Sequence, residues 1–184
     1  MGLAVMPAIY VVQEGGFLNA FAVRFFGRDF MVVYAEAYLV AKQQGEAELA
    51  FIVAHEMAHL QRRHTLKKAL TYPAAFVPFL GPAYSRACEY TADAIGAACE
   101  PAGAANSMLL LASGRHLYRS VDGNVFLAQD VHDRNGWVVV AELFASHPTL
   151  PKRLGAIARQ LAAPPVPTPA NAAYARASLP SPLP

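Results

Sequence analysis

The sequence predicts an α+β domain in which a largely helical core follows a small antiparallel β-meander. Near the N-terminus, three short apolar runs rich in β-branched and aromatic residues are separated by glycine-containing turns, a pattern typical of short strands. From residue 35 to residue 162, apolar residues recur instead at helical spacing, and a length of 184 residues suits one core. The predicted strands are Ala8–Gln13, Phe17–Phe25 and Phe30–Tyr34.

A long helix predicted over Glu46–Leu70 carries the most distinctive motif of the chain. His55, Glu56 and His59 form a His-Glu-x-x-His pattern within it. Histidines at this spacing lie one helical turn apart on one face, so both imidazoles can reach a single ion, and Glu56 can hold a water molecule beside it. Two nitrogen ligands and a carboxylate base are what a zinc peptidase needs. The rest of the helix is apolar, so burying these groups would be costly without a metal ion to compensate them.

The other helices are predicted around this central one. The stretch Val121–Gly136, rich in Asp, Gly, Asn and His, is interpreted as a loop. From Ala163 onward the chain is rich in proline and alanine, so we expect residues 1–162 to form the folded domain and residues 163–184 a disordered tail. The remaining predicted helices are Ala35–Gln44, Arg86–Cys99, Ala104–Arg119, Trp137–Ala145 and Leu154–Ala162.

The composition argues against a nucleic-acid partner and indicates an apolar surface. The net charge is only +2, and 15% of the residues are charged, against about 25% in a typical domain. The uncharged segment Ala69–Ser85 holds three prolines and has basic residues on both sides. That pattern is typical of a segment lying on a membrane surface, and equally of a buried or partner-facing loop. Neither a signal peptide nor an apolar run of about 20 residues is present, which predicts a soluble or peripheral chain.

The third ligand of the predicted metal site is left open by spacing alone. Two histidines leave a tetrahedral zinc ion one protein ligand short, with a fourth position for water. His64, five residues after His59, is predicted to point away from the ligand face. The candidates are Glu89, Asp93, His116, His132 and His147.

Four pieces of sequence, taken in order, make the chain resemble a known family. The resemblance is to the gluzincin peptidases and, more narrowly, to the HtpX-type membrane heat-shock proteases and the CAAX prenyl endopeptidases that share their fold. It implies a zincin-like metalloprotease fold built around the His-Glu-x-x-His helix. The matching pieces are Asn19-Ala20-Phe21-Ala22, His55-Glu56-x-x-His59, Glu89-x-x-Ala92-Asp93, and Ser146-His147-Pro148 with Arg153 after it.

The resemblance also implies the chemistry of the site. His55, His59 and Glu89 would bind one zinc ion. Glu56 would take a proton from zinc-bound water, which attacks the scissile carbonyl, and would pass it to the leaving amine. Asp93, one turn past Glu89, would accept a hydrogen bond from a ligand histidine and so fix its tautomer.

Further roles implied by the resemblance concern the substrate and the support of the site. His147 would donate a hydrogen bond to the developing oxyanion. Arg153 would pair with a carboxylate near the site. An edge strand would hold the backbone of a polypeptide substrate by β-augmentation, and it would be formed by Asn19, Ala20, Phe21 and Ala22.

The chain departs from the family's membrane members in its hydrophobic segments. Those members carry membrane spans before the catalytic domain and often another pair between the two motif helices. Here the first set is missing, and Ala69–Ser85 stands where the second would be. We therefore expect either a soluble relative or the catalytic portion of a longer, membrane-anchored protein whose catalytic domain lies in the cytoplasm, and the abrupt start favours the second.

The sequence thus favours a zinc-dependent endopeptidase that acts on unfolded or membrane-associated polypeptides. The alternative from another class is a zinc-stabilised binding or scaffold domain of a membrane quality-control protein, with little or no turnover. An intact Glu56 disfavours it, because a structural zinc site normally fills all four positions with protein ligands. Exopeptidase action would need a fixed charge that captures a chain end, and the sequence indicates no such group.

Overall fold

Three short strands form one mixed sheet at the start of the fold. Their spatial order is β1-β3-β2, so that β2 lies at an edge. β3 pairs in antiparallel fashion with β2 but in parallel with β1. The strands are β1 (Ala8–Val12), β2 (Ala20–Phe25) and β3 (Arg28–Tyr34). The computed structural model describes residues 6–13, 20–25, 27–64, 77–132 and 135–163.

The predicted antiparallel meander is therefore wrong in one of its pairings. A meander would place β2 between the other two strands, whereas β3 is central. β3 buries Met31 and Val33, while every residue of β1 is exposed. Apolar alternation along a strand indicates which face is buried, but it does not specify whether the neighbouring strand runs parallel or antiparallel.

Helices make up most of the remaining described residues, which confirms the predicted α+β class. α2 ends at Gln61, and residues 65–70 of the predicted helix lie outside the described part. α3 begins before the predicted Arg86, and α4 begins at Pro101, whose fixed φ suits a first helical turn. The helices are α1 (Ala35–Gln44), α2 (Ala47–Gln61), α3 (Leu80–Cys99), α4 (Pro101–Ser113), α5 (Gly123–His132), α6 (Gly136–Phe144) and α7 (Leu150–Ala162), with a 3-10 turn at Tyr118–Ser120.

The predicted loop Val121–Gly136 contains helix α5 instead. Oδ1 of Asp122 accepts hydrogen bonds from the backbone N–H groups of Asn124, at 2.7 Å, and Val125, at 3.3 Å. These bonds satisfy N–H groups that the first turn of a helix leaves without partners. The Asp-Gly-Asn sequence that resembles a turn is therefore a helix start, and packing of α5 against α7 stabilises the helix that follows.

α2 is the central element, since it contacts α3, α4 and the edge strand β2. Phe51 of α2 and Met108 of α4 are both buried in the core around it. Gly103 allows α4 to approach closely, because a Cβ atom there would lie 1.9 Å from the carbonyl oxygen of Ala47. The Ser107 hydroxyl donates to the backbone oxygen of Glu48 at 3.1 Å across the same contact. This packing holds the His-Glu-x-x-His segment between helices and the sheet edge.

Within the described ranges, no helix has the length and apolar character needed to cross a membrane. Several sequence predictions fall on residues outside those ranges. They are Asn19 of the substrate-binding piece, residues 69–76 of Ala69–Ser85, and residues 164–184 of the predicted tail.

Candidate metal centre

Two histidines of α2 bring ring nitrogens together on one side of the helix. Nε2 of His55 lies 3.2 Å from Nε2 of His59, and the two rings meet edge to face. The surrounding segment is rich in Ala, Leu and Met, which favour helix, so spacing by four residues becomes one turn. His55 is buried and His59 is half-buried.

Glu89 of α3 reaches the same point from the neighbouring helix. Its Oε2 lies 3.7 Å from Nε2 of His55, and its Oε1 lies 3.6 Å from Nε2 of His59. Ligand atoms around a tetrahedral zinc ion are separated by about 3.4 Å when zinc–nitrogen bonds are about 2.1 Å long. The three observed separations are close to that spacing, so the residues fit a zinc ion. Among the described residues these three form the group that could hold a metal ion.

Behind His55 lies a buried ion pair between α3 and α7. Arg153 donates to both carboxylate oxygens of Asp93, at 2.6 and 2.8 Å, and its Nη1 lies 3.2 Å from Oε2 of Glu89. Asp93, with 1% of its surface exposed, also brings Oδ1 to 2.9 Å from Nδ1 of His55. That contact is short but oblique, because the ring N–H does not point straight at the oxygen.

The pKa values of the site follow from burial and from these partners. Burial works to raise the pKa of Asp93, but the two hydrogen bonds from Arg153 and the close approach of the His55 ring outweigh it and hold that pKa below its ordinary value. Burial, with repulsion from His55, lowers the pKa of His59 to about 4. A histidine with so low a pKa is neutral at physiological pH, which is the form that binds a metal ion.

Glu56, between the two histidines in sequence, points into the same space without joining the ligand group. Burial, reinforced by the negative charge of Glu89, raises its pKa to about 7, although the positive groups nearby oppose the shift. Its carboxylate accepts a hydrogen bond from the backbone N–H of Ala22 on β2. The His-Glu-x-x-His motif and the edge strand are therefore in direct contact.

An open cleft of about 530 Å³ lies over these groups. His147, in the segment between α6 and α7, stands at its rim with 68% of its side chain exposed and with Nδ1 3.4 Å from Oε1 of Glu89. Three consecutive residues of β2 form another wall. The predicted site residues that line the cleft are Ala20, Phe21, Ala22, His55, Glu56, His59, Glu89, His147 and Arg153.

Comparison with known proteins gives the affiliation of the chain. The sequence model of peptidase family M48 matches residues 2–75 and 67–161, which together make up most of the chain. The chain belongs to peptidase family M48. The match confirms the resemblance found in the motifs, and it does not distinguish the HtpX type from the CAAX type within the family. No curated protein and no solved structure matches this M48 chain.

Members of family M48 are metalloproteases, and the group formed by His55, His59 and Glu89 could hold a metal ion. Two other ligand candidates are not part of that group. His116 accepts a hydrogen bond from Arg115 at 2.9 Å on an exposed surface. The side chain of His132 lies outside the described residues.

His64 stays outside the ligand group, but the expectation that it lies on another helix face, away from His59, is wrong. Its Nδ1 lies 3.0 Å from Nδ1 of His59, and the residue is buried. The expectation assumed that α2 continues to Leu70, whereas the helix ends at Gln61 and the chain turns back. The sequence signal for this contact was a histidine shortly after the His-Glu-x-x-His motif. Helical geometry alone, however, places that histidine on another face of the helix.

Proposed function

We propose that this M48 peptidase is a zinc-dependent endopeptidase that hydrolyses unfolded or membrane-associated polypeptides with water as the nucleophile. The observation that carries the proposal is the convergence of three ligand atoms within 4.8 Å of one another in an open cleft that also contains Glu56. A purely structural zinc site would surround the ion with protein ligands and would have no use for a carboxylate base.

His55, His59 and Glu89 would hold the zinc ion. When bound, zinc would polarise the scissile carbonyl and lower the pKa of water, which are the two effects that peptide hydrolysis needs. His59 is already neutral at physiological pH, since its pKa is about 4. Asp93 and Arg153 would hold His55 and Glu89 in place from behind, because their ion pair contacts both.

Glu56 would act as the base and then as the acid. It takes a proton from the attacking water as oxygen bonds to the carbonyl carbon, and it delivers that proton to the nitrogen as the carbon–nitrogen bond breaks. A carboxylate with a pKa near 7 suits both steps, because it can accept and release a proton at neutral pH. His147, exposed at the rim, would donate a hydrogen bond to the oxygen that gains negative charge.

The substrate backbone would lie along β2. Among the described strands, β2 pairs with β3 on one side and no strand lies on its other side. Ala20, Phe21 and Ala22 line the cleft, and the N–H of Ala22 faces Glu56. An extended peptide added to this edge would run past the catalytic groups, whereas a segment whose backbone is already hydrogen-bonded within a fold could not pair with the strand.

Substitution of the proposed base tests the mechanism. Glu56→Gln is expected to keep zinc but to lower cleavage of casein by about 10²–10⁴-fold, since an amide accepts no proton. Glu46→Gln, an exposed change just before the same helix, is the matched control and should keep full activity. Equal activity of Glu56→Gln and the wild type would reject the assignment. Zinc binding by the wild type without chelator-sensitive cleavage would indicate the zinc-stabilised scaffold instead.

We also propose that the chain works at a membrane surface. Helix α6 buries none of its residues, and Trp137 at its start is 84% exposed. Its last residue, Phe144, stacks edge to face on Phe79, which precedes α3. The exposed apolar surface of α6 is therefore continuous with the end of the uncharged segment Ala69–Ser85. A patch of this kind is typical of a membrane or partner contact.

Trp137 is the only tryptophan of the chain, so its fluorescence reports on this surface directly. We expect a blue shift when vesicles of anionic phospholipid are added, and weaker vesicle binding by Phe144→Asp. Leu117→Asp, an equally drastic change at a residue that is 60% exposed elsewhere, is the control and should bind as the wild type does. The absence of a shift, or equal weakening by both variants, would contradict the proposal.

A further inference from the structure

We infer that His64 is a positioning residue that orients His59 for metal binding through a hydrogen bond between the two rings. The inference rests on the metal site proposed above and adds a residue that lies outside the His-Glu-x-x-His motif and outside the ligand group. It concerns how the site is held, and it leaves the identity of the ligands unchanged.

The contact between the rings is close and well directed. Nδ1 of His64 lies 3.0 Å from Nδ1 of His59, with the ring planes at 79° and the centroids 5.0 Å apart. His64 is buried, with 9% of its surface exposed. A buried ring with a nitrogen at hydrogen-bond distance is held in one orientation, because rotation would leave a polar atom without that partner.

The chemistry of the imidazole decides which ring donates. Nε2 of His59 is the nitrogen that faces Nε2 of His55 and Oε1 of Glu89, so it is the one available to a metal ion. Nδ1 of His59 must then carry the proton and donate. Nδ1 of His64 accepts, which requires a neutral His64 with its proton on Nε2. Fixing the tautomer of a ligand histidine in this way raises metal affinity.

The turn at the end of α2 places His64 against His59. In a continuing helix, a residue five positions later would lie about 140° around the axis, on another face. Instead Arg63 has a φ of 53°, in the left-handed region, and its N–H donates to the carbonyl oxygen of Leu60 at 3.0 Å. A residue other than glycine adopts this conformation only at a cost in backbone strain. Strain of this kind is often found where the chain must place a functional group.

Two amide substitutions at residue 64 test whether the position of the hydrogen-bond acceptor matters, because both keep a polar side chain there. In His64→Asn the side-chain oxygen falls near the position of Nδ1, whereas in His64→Gln it falls near that of Nε2. We expect zinc affinity, measured by competition with a chromophoric chelator, to stay within about threefold of the wild type for His64→Asn and to fall about 10–100-fold for His64→Gln. His64→Phe, which fills the ring volume without an acceptor, should match His64→Gln.

Measurements that do not depend on catalysis distinguish a role of His64 in positioning His59 from a role in the stability of the fold. The melting temperatures of the metal-free variants are measured in chelator, and we expect His64→Asn and His64→Gln to melt alike. The visible absorption of bound Co²⁺ should keep its shape in His64→Asn and change in His64→Gln and His64→Phe, because it reports the geometry around the ion. If His64→Gln does not fold, the comparison of His64→Asn with His64→Phe decides the question.

The outcomes separate this inference from the proposed function. Equal zinc affinity and equal Co²⁺ spectra for the wild type, His64→Asn and either His64→Gln or His64→Phe would overturn the role of His64 while leaving the metal site intact. Equal loss of affinity in His64→Asn and His64→Gln would also overturn it, since the acceptor position would then be irrelevant. Failure of the wild type to bind zinc at all would instead reject the proposed function.

Discussion

His55 and His59 share one helix and one motif, but the groups behind them differ. His55 faces Asp93, a carboxylate that Arg153 holds with two hydrogen bonds. His59 faces the ring of His64, only five residues further along the chain. The first support is charged and is assembled from three helices, whereas the second is a local contact between rings. We therefore expect the first to affect stability and metal affinity together, and the second to affect metal affinity with little effect on stability.

The largest expected effect comes from breaking the charged support. Asp93→Ala removes the main partner of Arg153, whose charge is then buried without adequate compensation. We expect the free energy of unfolding of the metal-free protein to fall by about 3–5 kcal/mol. Zinc affinity should also fall by about 10–100-fold, since His55 loses the carboxylate behind it. Urea unfolding in chelator and zinc titration measure the two effects.

A surface pair with the same geometry provides the control. Arg24 donates to both oxygens of Asp29, at 2.6 and 2.7 Å, but its side chain is 40% exposed. Water and salt screen such a pair, so Asp29→Ala should cost far less than Asp93→Ala. Similar losses in the two variants would show that burial is not the source of the effect.

Acid should destabilise the metal-free protein in two separate pH ranges, one set by the pKa of His59 and the other by the pKa of Asp93. In the metal-free Glu56→Gln protein, the unfolded chain protonates His59 near its ordinary pKa of 6.5, whereas the folded chain does so only near 4. Stability should therefore fall on the order of 2–3 kcal/mol as the pH drops across that window. Asp93 has a lowered folded pKa, so its contribution is present above 3.8 and is lost at lower pH.

The wild type should show a flatter profile over the same pH range. The folded pKa of Glu56 is about 7 against 4.5 in the unfolded chain, so protonation of Glu56 adds stability as the pH falls and opposes the effect of His59. Unfolding by urea at several pH values tests both curves. A flat profile in Glu56→Gln would contradict the neutral state of His59 in the folded chain.

The smallest expected effect concerns the turn that brings His64 back. Arg63→Gly removes the cost of a left-handed arginine, and we expect stability to rise by about 0.5–1 kcal/mol with zinc affinity unchanged. Arg63→Pro cannot adopt that conformation and should weaken zinc binding as His64→Gln does. Thermal melting and zinc titration provide the readouts. Unchanged zinc affinity in Arg63→Pro would mean that the turn does not control the ring contact.

Local sequence was sufficient for much of the fold. The period of the apolar residues predicted α2, apart from its C-terminal end, and the α+β class, and the family resemblance followed from motifs that are themselves local. Prediction failed where a pairing depends on distant residues or where a local pattern fits two structures. The parallel pairing of β1 with β3 is settled by packing that no local pattern encodes, and the sequence after Asp122 fits a turn as well as the start of α5.

The sequence by itself determined that two imidazoles and Glu56 stand on one helix, because four residues make approximately one turn wherever that helix forms. Only the tertiary structure decided that Glu89 reaches both imidazoles from α3 and that Arg153 holds Asp93 from α7. It also decided that His64 meets His59, since that contact requires the helix to end and the chain to turn at Arg63. Spacing along a chain fixes contacts within a helix, whereas contacts between elements depend on how their apolar faces pack.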